Sequence, residues 1–457
     1  MVINSVIILA AGNGSRLQSD LPKVFHRIGG LTLLDHVVKA AQEINPQEII
    51  AVLNQKFSQM KLVYEANVKV ACQETPEGTA HAVKCGMEVL STTLRPSSNN
   101  DDEWVYILYG DIPLISGMTL RKLGKSAQKC RQTAVVVLAM QGDSANELGK
   151  LEPTDEAGMI KSIIESKDAS SEKKTAFLPL CNAGLLIKRN VLEELIGQIK
   201  ASPTTGEFYI TEIVRLAYQA GHVCRYFEGD TKELLGINTR AELALAEKLF
   251  QEREREKHMN NGVTLLAPET VFFSHDTRLE HDVVVHPYVV FLEGVRVESG
   301  AQIGPFCMVE GAIIGKNVCV GPFSRLRGKT EILDEARVGN FVEIKNSIVG
   351  EGAKVSHLSY IGDTIIGEMT NIGAGTITCN YDGEKKHRTV IGKNAFIGSN
   401  SALVAPVEIG DTATVGAGSV IVKNVERGAL ALARSRQRNI VAWNVIRGRK
   451  RKKCAVS

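Results

Sequence analysis

The 457-residue sequence has little of what marks membrane, disulfide-rich or nucleic-acid-binding proteins. Its net charge of +3 gives no general field for nucleic acid. The nine cysteines form no C-x-x-C pair and share no spacing with histidines, so we expect reduced thiols in the cytoplasm and no zinc site. The apolar run Val6–Ala11 is too short to span a bilayer and lacks a charged flank before it, which predicts neither membrane insertion nor a signal peptide.

The composition is that of a folded protein. Hydrophobic residues make up 44% and charged residues 23%, and the length allows two or three domains. The one basic cluster lies near the C-terminus, from Arg447 to Lys453, and a solvated end is a simpler interpretation of it than a binding element. We predict a first domain at 1–240, a linker helix at 241–262, a second domain at 263–437 and a basic tail at 438–457.

An aliphatic residue returns at every sixth position from Ile391 to Ile421, and small residues follow one and four positions later. Helix faces repeat every 3.6 residues and strand faces every 2, so a period of six indicates three short extended sides per coil with small residues at the corners. The rhythm begins loosely after Gly262 and is interrupted most strongly at Thr378–Thr389, a polar loop suited to binding. We predict a parallel β-helix of hexapeptide repeats.

Residues 1–240 alternate aliphatic runs with amphipathic segments, which predicts an α/β domain with a mostly parallel sheet. The runs predicted as strands are Val6–Ala10, Ile49–Leu53, Val68–Ala71, Val105–Leu108, Ala134–Ala139 and Leu185–Ile187. The segments predicted as helices are Leu33–Ile44, Ala80–Leu90, Leu120–Cys130 and Ile210–Ala220. One further helix is predicted at Ala241–Met259, with Thr239 and Glu242 as a capping box and Gly262 beyond its end.

A glycine-rich turn, Ala11-Gly12-Asn13-Gly14, follows the first strand. Such a turn exposes backbone N–H groups to phosphate, and Arg16 and Lys23 can neutralise a triphosphate. The spacing matches neither the G-x-G-x-x-G dinucleotide motif nor a P-loop. Taken alone, a turn of this kind is more often structural.

Asp111 follows another strand, at the edge where open α/β sheets bind ligands, and is suited to holding Mg²⁺ against phosphate. A lone aspartate at this point is more simply a cap or turn residue. Here, however, Leu9–Lys23 and Gln73 with Gly78 and Thr79 also fall at strand ends. The combination predicts a nucleotide site.

In the repeat region, basic and aromatic residues gather among small and apolar ones. They are Arg325, Arg327, Lys345, His357 and Tyr360. Arginine and lysine can grip a sugar phosphate, and a histidine can accept a proton near neutral pH. From spacing alone, a satisfied surface residue is the simpler interpretation of His357.

Further motifs make the sequence resemble the sugar-nucleotide pyrophosphorylases. They are Ile164-Glu165-Ser166-Lys167-Asp168, Cys181-Asn182-Ala183-Gly184, Gly206-Glu207-Phe208-Tyr209-Ile210-Thr211 and Gly236-Ile237-Asn238-Thr239-Arg240. Joined to the hexapeptide half, they make the chain resemble, over essentially its whole length, the bifunctional bacterial N-acetylglucosamine-1-phosphate uridylyltransferase / glucosamine-1-phosphate acetyltransferase family. The resemblance implies a Rossmann-like nucleotidyltransferase domain, a left-handed parallel β-helix, and a homotrimer with acetyl sites between its prisms.

At the first site the resemblance implies transfer of UMP from UTP to N-acetylglucosamine-1-phosphate, with release of pyrophosphate. Asp111 and Asn238 are implied to hold Mg²⁺. The residues implied to bind the uridylyltransferase substrates are Leu9, Ala10, Ala11, Gly12, Arg16, Lys23, Gln73, Gly78, Thr79, Tyr109, Gly110, Gly149, Glu165, Asn182 and Asn238. Of these, Arg16 and Lys23 are implied to face the phosphates, Ala11, Gly12, Gln73, Gly78 and Thr79 to contact the uridine with its base, and Gly149, Glu165 and Asn182 to bind the sugar. Two departures are small: Asn13 replaces a frequent lysine, and Lys150 an expected arginine.

At the second site the resemblance implies that His357 takes a proton from the amine of glucosamine-1-phosphate, which then attacks acetyl-CoA. The phosphosugar is implied to contact Arg327, Lys345, Tyr360 and Asn371. Acetyl-CoA is implied to contact Ala374, Asn380, Tyr381, Ser399, Ala417 and Arg434, with a backbone N–H near Ala374 as the oxyanion donor. Gly328-Lys329 replaces the family's Pro-Gly, so we expect a looser turn after Arg327. The implied product, UDP-N-acetylglucosamine, supplies peptidoglycan and lipopolysaccharide precursors.

Two other interpretations compete with this one. The first is a pyrophosphorylase for another sugar, in which the β-helix only regulates or assembles; the acetyl-site residues count against it. The second is a non-enzymatic scaffold beside a nucleotide sensor, which turnover of UTP to pyrophosphate would exclude.

Overall fold

The computed structural model describes residues 3–12, 14–57, 68–91, 103–142, 149–165, 177–444 and 447. The chain forms two compact units, Met1–Arg253 and Glu254–Ser457. Asn13, the Ser166–Asp168 part of the glutamate motif and Arg449–Lys453 of the basic cluster lie outside the described residues. The predicted domain boundaries stay predictions.

The first unit is an α/β domain. Its strands are β1 (Ile3–Leu9), β2 (Arg27–Ile28), β3 (Leu31–Thr32), β4 (Glu48–Asn54), β5 (Val68–Gln73), β6 (Glu103–Tyr109), β7 (Thr133–Gln141), β8 (Lys150–Pro153), β9 (Ile160–Ile164), β10 (Leu180–Lys188) and β11 (Val223–Glu228). Its helices are α1 (Leu33–Gln42), α2 (Thr79–Ser91), α3 (Gly117–Gln128), α4 (Arg189–Leu195) and α5 (Glu212–Gln219), and α6 (Arg240–Asn260) crosses into the second unit. Short 3-10 helices lie at Ser15–Leu17 and Lys23–Phe25.

The main sheet of the first unit has the strand order β11-β7-β10-β6-β1-β4-β5. Along this order four of the six pairings are parallel, and β10 runs antiparallel to β6 and β7. β8 pairs antiparallel with both β10 and β9, so the α/β prediction is confirmed and the sheet as a whole is mixed. The aliphatic runs did not predict β8, β9 and β11. The residues of β8 and β11 are mostly half-exposed, so these strands carry no continuous aliphatic run.

Side chains of β1 alternate between two cores, as the period of a strand requires. Val6 and Ile8 pack with residues of α1 and α3, whereas Ile7 packs with residues of α2 and α5. Each of these three aliphatic side chains is fully buried, and such burial stabilises the fold by about 1.5–3 kcal/mol apiece. Both faces of the sheet are therefore covered, and the carboxyl ends of the parallel strands form the edge on which loops carry polar residues.

The predicted long helix is α6, and its predicted capping box is formed. The Thr239 hydroxyl accepts a hydrogen bond from the Glu242 N–H at 3.2 Å, and the Glu242 carboxylate accepts one from the Thr239 N–H at 2.8 Å. Gly262 follows the helix with φ +88°, the left-handed conformation typical of a helix end. None of the described helices combines the length and apolar character needed to cross a bilayer.

The second unit is built of short parallel strands in three sheets. The first sheet contains β12 (Thr264–Leu265), β14 (Val284–Val285), β17 (Gln302–Ile303), β20 (Cys319–Val320), β23 (Arg337–Asn340), β26 (Lys354–His357), β29 (Asn371–Ile372), β32 (Phe396–Ile397), β35 (Thr414–Val415) and β37 (Leu430–Ala431). The second contains β13 (Arg278–Leu279), β16 (Arg296–Val297), β19 (Ala312–Ile314), β22 (Thr330–Ile332), β25 (Ile348–Val349), β28 (Thr364–Ile366), β31 (Thr389–Ile391) and β34 (Val407–Ile409). The third contains β15 (Val290–Phe291), β18 (Met308–Val309), β21 (Arg325–Arg327), β24 (Glu343–Lys345), β27 (Tyr360–Gly362), β30 (Ile377–Cys379), β33 (Ala402–Val404) and β36 (Val420–Ile421).

The three sheets form the three sides of a prism, and each six-residue repeat forms one side of one coil. The repeating aliphatic residues from Ile391 to Ile421 are buried and belong to one continuous core. Most coils return to register after 17 or 18 residues, as from Ile397 to Val415, but the step from Ile372 to Ile397 takes 25 because a loop is inserted there. The predicted β-helix and its predicted insertion are confirmed, and the three stacked parallel sheets are consistent with the left-handed form.

Candidate functional sites

At the carboxyl edge of the main sheet, Lys23, Asp111 and Asn238 converge. The Lys23 Nζ group donates hydrogen bonds to Asp111 Oδ2 and, at 2.9 Å, to Asn238 Oδ1. The Ile237 N–H donates to the Asp111 carbonyl at 2.9 Å, which brings Asn238 beside the end of β6. The side chains of Lys23 and Asp111 are largely shielded from solvent. The two side-chain oxygens predicted to bind a metal therefore already accept hydrogen bonds from the ammonium cation of Lys23.

The glycine-rich turn leads into this cluster from β1. Gly110 N–H donates to the Leu9 carbonyl at 2.9 Å, so the ends of β6 and β1 are locked together. A Cβ atom on Gly110 would lie 3.1 Å from the Cβ of Ala10, so a larger residue would push the two loops apart. Gly12 and Arg16 are exposed beside them, Arg16 on the 3-10 helix Ser15–Leu17. The turn follows β1 at the edge of the sheet, and its binding of phosphate stays a prediction.

The predicted base-binding residues form a second group at the end of β5. Gln73 is buried, and its amide donates to the Gly78 carbonyl at 3.1 Å. Gly78 has φ +115°, and a Cβ there would lie 2.5 Å from the Phe208 carbonyl oxygen, so only glycine fits. Thr79 Oγ1 accepts a hydrogen bond from the Ile210 N–H at 2.9 Å. The Gly206–Thr211 motif is therefore fixed against this loop.

The predicted sugar-binding residues surround Tyr109. Asn182 donates to the Tyr109 hydroxyl at 2.9 Å, and its N–H donates to the Gly149 carbonyl at 2.9 Å. A Cβ on Gly149 would lie 3.1 Å from Glu165 Oε1, so a side chain there would crowd that carboxylate. Burial, aided by the Glu165 charge, raises the pKa of Tyr109 well above its ordinary value. The phenol is therefore a hydrogen-bond donor at neutral pH.

A cavity of about 340 Å³ opens beside Glu165. Tyr209 and Thr211 line it, and the Thr211 hydroxyl donates to Glu165 at 2.7 Å. Both residues belong to the Gly206–Thr211 motif and were not predicted as site residues. Their side chains are positioned to contact a ligand that enters this cavity.

In the β-helix, the predicted acetyl-site residues form a column on one edge of the prism. Gly375 N–H donates to the His357 carbonyl, Asn400 N–H to the Ala374 carbonyl, and Gly418 N–H to the Ser399 carbonyl, at 3.2, 2.7 and 2.8 Å. The column therefore runs through equivalent positions of successive coils. Its members are His357, Ala374, Ser399 and Ala417. Arg434 continues it by donating to the Ala417 carbonyl at 2.7 Å.

The two predicted phosphosugar cations lie on neighbouring strands. Arg327 on β21 and Lys345 on β24 are in register. Arg327 Nε donates to Glu343 at 2.7 Å, and Tyr360 on β27 stands opposite Glu343. Both cations are half-exposed, which leaves them accessible to a phosphate.

The turn after Arg327 differs from the family pattern and is nevertheless well held. Gly328 and Lys329 both adopt left-handed φ values. The Arg327 carbonyl accepts hydrogen bonds from the Thr330 hydroxyl at 2.9 Å and from the Asn346 N–H at 3.2 Å. The Asn346 N–H also donates to the Gly328 carbonyl at 2.8 Å, so polar groups from two coils fix the chain where the expected proline is missing.

Asp363 and Lys386, a residue of the inserted loop, were not predicted as site residues, and both interact with Lys345. Asp363 accepts hydrogen bonds from Asn346 and Asn380, and these bonds, with the charges of Lys345 and Lys386, outweigh burial and hold the pKa of Asp363 below its ordinary value. The neighbouring Lys345 lowers the pKa of Lys386. Two ammonium groups side by side favour an anion between them. Only the polarity of the loop could have indicated Lys386.

The loop is also stabilised internally, around Asp382. The Asp382 carboxylate accepts hydrogen bonds from the Lys385 and Glu384 N–H groups and from the His387 ring, at 2.7, 2.8 and 2.6 Å, which holds its pKa far below the ordinary value. Tyr381 stands exposed beside it. An ordered loop presents Tyr381 at a defined position.

Not every predicted acetyl-site residue meets His357 within one chain. Asn371 lies on β29 three positions before Ala374, in register with Lys354 rather than with His357.

The described residues contain no cluster of three or more His, Cys, Asp or Glu side chains that could hold a metal ion. A metal at Asp111 and Asn238 would take its remaining ligands from phosphates and water, as Mg²⁺ commonly does.

Comparisons with known proteins match both units. Residues 6–202 match the MobA-like NTP transferase domain, and residues 388–423 match the hexapeptide repeat of succinyl-transferase. The bifunctional protein GlmU of Zymomonas mobilis is 42% identical over 98% of each chain. Those of Paracoccus denitrificans and Wolbachia pipientis are 44% and 42% identical, over 95% of this chain and 94% and 97% of theirs.

The chain belongs to the bifunctional GlmU family. The resemblance drawn from the motifs is thereby confirmed. The protein is an enzyme with two transferase activities, and its nucleotidyltransferase domain and hexapeptide β-helix fit the predicted uridylyl and acetyl transfers.

Proposed function

We propose that this GlmU-family enzyme makes UDP-N-acetylglucosamine in two steps. The β-helix acetylates glucosamine-1-phosphate with acetyl-CoA, and the first unit then transfers UMP from UTP to N-acetylglucosamine-1-phosphate, releasing pyrophosphate. The observation that carries the proposal is that one chain places Lys23, Asp111 and Asn238 at a sheet edge and aligns His357 with Ala374 along a prism edge.

The uridylyl step requires positioning and charge neutralisation more than a covalent residue. A phosphate oxygen of the sugar attacks the α-phosphorus of UTP, and the bond to the β-phosphate breaks. Lys23 and Arg16 are proposed to bind the phosphates, the Gln73 and Gly78 loop the uracil, and Tyr109, Gly149, Glu165 and Asn182 the sugar. The remaining proposed contacts are backbone ones, from Leu9, Ala10, Ala11, Gly12, Thr79 and Gly110.

The donor set of this site fits Mg²⁺. Asp111 Oδ2 and Asn238 Oδ1 both accept hydrogen bonds from the Lys23 ammonium, so they face a common cation position, and oxygen ligands suit a hard divalent ion. When bound there, Mg²⁺ would neutralise the charge on the phosphates. Lys23 would then be available to the phosphates rather than to Asp111.

In the acetyl step, His357 is proposed to accept a proton from the sugar amine, whose nitrogen attacks the thioester carbonyl. The new C–N bond replaces the C–S bond, and the departing thiolate of coenzyme A is protonated. Arg327, Lys345 and Tyr360 are proposed to hold the phosphosugar. The column Ala374, Ser399 and Ala417, with Arg434, Asn380 and Tyr381, is proposed to hold acetyl-CoA, and an N–H near Ala374 the oxyanion.

We also propose that three chains associate and complete the acetyl sites between them. The separation of Asn371 from His357 supports this, because a second copy can supply the missing contact. An apolar corner supports it as well: the rings of Tyr288, Phe306, Phe323 and Phe341 stack at 4.9–5.2 Å yet stay 45–56% exposed. Light scattering should give the mass of three chains; the mass of one chain would refute the proposal.

Two further proposals concern the cellular location of the protein and its partners. The eight described cysteines are free thiols, which is the state a reducing compartment maintains, and this supports a cytoplasmic location. The substrates are all small molecules, and the net charge of +3 supports no nucleic-acid partner.

One incubation tests the whole proposal. The full chain is mixed with glucosamine-1-phosphate, acetyl-CoA, UTP and Mg²⁺, and the products are identified by mass. UDP-N-acetylglucosamine, pyrophosphate and free thiol are expected together. Release of pyrophosphate from UTP with N-acetylglucosamine-1-phosphate as the acceptor, without acetylation of glucosamine-1-phosphate, would leave only the first activity and refute the second.

A further inference from the structure

His357 has a polar partner that the proposed acetyl site does not yet use. Asn340 on β23 and His357 on β26 are in register on adjacent coils, and Asn340 Oδ1 lies 2.5 Å from His357 Nδ1. The Leu358 N–H donates to the Asn340 carbonyl at 3.0 Å. The residues that follow them, Phe341 and Leu358, both take left-handed φ values of 55° and 51°. The two coils thus turn the same corner, which fixes both side chains together.

The chemistry of this contact determines which ring nitrogen carries the proton. An amide oxygen only accepts hydrogen bonds, so the contact places the proton of neutral His357 on Nδ1 and leaves the lone pair on Nε2. If the amide NH₂ group faced Nδ1 instead, the proton would lie on Nε2 and the base would be lost. The amide orientation therefore decides whether His357 can act.

We propose that Asn340 is a positioning residue for acetyl transfer, which holds His357 in the tautomer that accepts the amine proton at Nε2. The inference rests on the proposed function of the β-helix. The proton moves from the sugar amine to Nε2 as the C–N bond forms, and from Nε2 to the thiolate as the C–S bond breaks. Through both transfers Nδ1 keeps its proton and its bond to Asn340, so the ring does not rotate between them.

The surroundings single out this amide. The strands paired with β26 are β23 and β29, and β27 follows it along the chain and pairs with β24. The charged or titratable side chains on these strands are Arg337 on β23, Lys354 on β26 itself, Tyr360 on β27, and Glu343 and Lys345 on β24. Glu343 is engaged by Arg327. Across the described ranges, no carboxylate pairs with the His357 ring. A neutral amide, rather than a carboxylate, orients the base.

The test compares Asn340→Ala and Asn340→Asp with Gln302→Ala. Gln302 lies on β17 of the same sheet, two coils earlier, and is exposed, so its substitution controls for loss of a surface amide. Acetyl transfer is followed by thiol release between pH 5.5 and 9 on the full chain. Circular dichroism and urea denaturation of the same preparations report whether the β-helix of each variant is folded, and uridylyl transfer reports the state of the first unit.

Asn340→Ala should lower kcat for acetyl transfer roughly ten- to a hundredfold, with KM values for both substrates changing less than about threefold. Asn340→Asp keeps the acceptor and should recover most of kcat at alkaline pH. Its negative charge favours the imidazolium, so the acidic limb of the kcat/KM profile should move to higher pH. Gln302→Ala should match the parent.

The inference is overturned if Asn340→Ala keeps kcat within about twofold of the parent, or if Asn340→Asp is no better than Asn340→Ala. Should Asn340→Ala fail to fold, judged by circular dichroism, Asn340→Asp alone decides through its pH profile: an unmoved acidic limb refutes the role. His357→Ala and the parent are run alongside. If the parent does not acetylate, the proposed function of the β-helix fails; if His357→Ala acetylates normally, His357 is not the base and the role of Asn340 fails with it; if His357→Ala is inactive while Asn340→Ala is normal, only the role of Asn340 fails.

Discussion

The two units build their sites in opposite ways. In the α/β unit, Lys23 meets residues 88 and 215 positions away, Asp111 and Asn238, because a 3-10 helix, a strand end and a loop from distant parts of the chain converge at one edge. In the β-helix, Asn340 and His357 meet across 17 positions, which is one coil. A solenoid turns sequence spacing directly into contact, whereas a sheet edge collects residues with no common spacing.

Within one chain, the residues proposed for each site all lie in a single unit. A substitution in one should therefore leave the chemistry of the other unchanged. Substitutions in each unit, assayed for both activities, test whether the two activities are independent.

His357→Ala should lower acetyl transfer by roughly two to four orders of magnitude, because the amine then has no general base. Uridylyl transfer, assayed with N-acetylglucosamine-1-phosphate, should stay at the parent level. Thiol release and pyrophosphate release from one preparation measure both. Near-normal acetylation would remove His357 from the mechanism, and a parallel loss of uridylyl transfer would show that the units are not independent.

Asp111→Ala should have the reverse selectivity. Loss of one of the two proposed metal ligands should lower Mg²⁺-dependent uridylyl transfer roughly a thousandfold, while acetyl transfer continues. Asp276→Ala, in the second unit, is a suitable control because it also removes a carboxylate that accepts a backbone N–H, that of Gly294 at 2.8 Å. Uridylyl transfer that survives Asp111→Ala would refute the metal assignment.

Lys23→Met tests whether the lysine and a metal ion compete for the position between Asp111 and Asn238. Because the Lys23 ammonium occupies the cation position between Asp111 and Asn238, its removal should tighten binding of Mn²⁺ to the nucleotide-free protein. We expect about a five- to tenfold gain, equivalent to about 1 kcal/mol, measured by electron paramagnetic resonance of free Mn²⁺. Turnover of UTP should fall at the same time, since a phosphate contact is lost.

Lys69→Met is the matched control for that measurement. Lys69 also pairs with a carboxylate, Glu48 at 2.6 Å, but on β5 and β4 and outside the cluster. Its substitution should leave Mn²⁺ affinity unchanged. Equal Mn²⁺ affinity for Lys23→Met and the parent would contradict competition between lysine and metal.

The two units also differ in what the sequence could predict. The coil period predicted the β-helix and its inserted loop. The site residues His357, Ala374 and Ser399 were assigned through the family resemblance, and the fixed register of the coils explains why they lie in one column. The convergence of Asp111 and Asn238 was obtained only through the family resemblance, since nothing in their spacing implies contact. The bond from the Ile237 N–H to the Asp111 carbonyl, which joins them, has no sequence signal.

Other features were beyond the sequence for physical reasons. Strands β8 and β11 have half-exposed side chains and so lack the aliphatic runs by which strands were recognised. Lys386 lies in an irregular loop, where no period relates it to Lys345. Asn340 is in coil register with His357, and the period could have found it, but polar residues on the outside of a β-helix are too common to mark a partner.

The smallest predicted effect concerns His258, near the end of α6 where the β-helix begins. Its side chain is 3% exposed, its ring lies 4.6 Å from that of Phe273, and neither ring nitrogen has a hydrogen-bond partner in the described part of the chain. Burial lowers the pKa of His258 to about 4 from its ordinary value of 6.5. Between these values the unfolded chain binds a proton that the folded chain does not, so acidification from pH 6.5 towards pH 4 favours unfolding.

His258→Leu should abolish that loss, because leucine takes no proton and fills the apolar site. The parent should lose up to about 3 kcal/mol more than the variant between pH 7 and pH 4, measured by urea denaturation of the second unit. His281→Leu is the control: His281 is exposed beside Asp282, so its substitution should leave the pH dependence close to that of the parent. If His258→Leu and the parent lose stability equally on acidification, the buried imidazole is not the acid-sensitive group, and the weakness of the β-helix at low pH lies elsewhere along its coils.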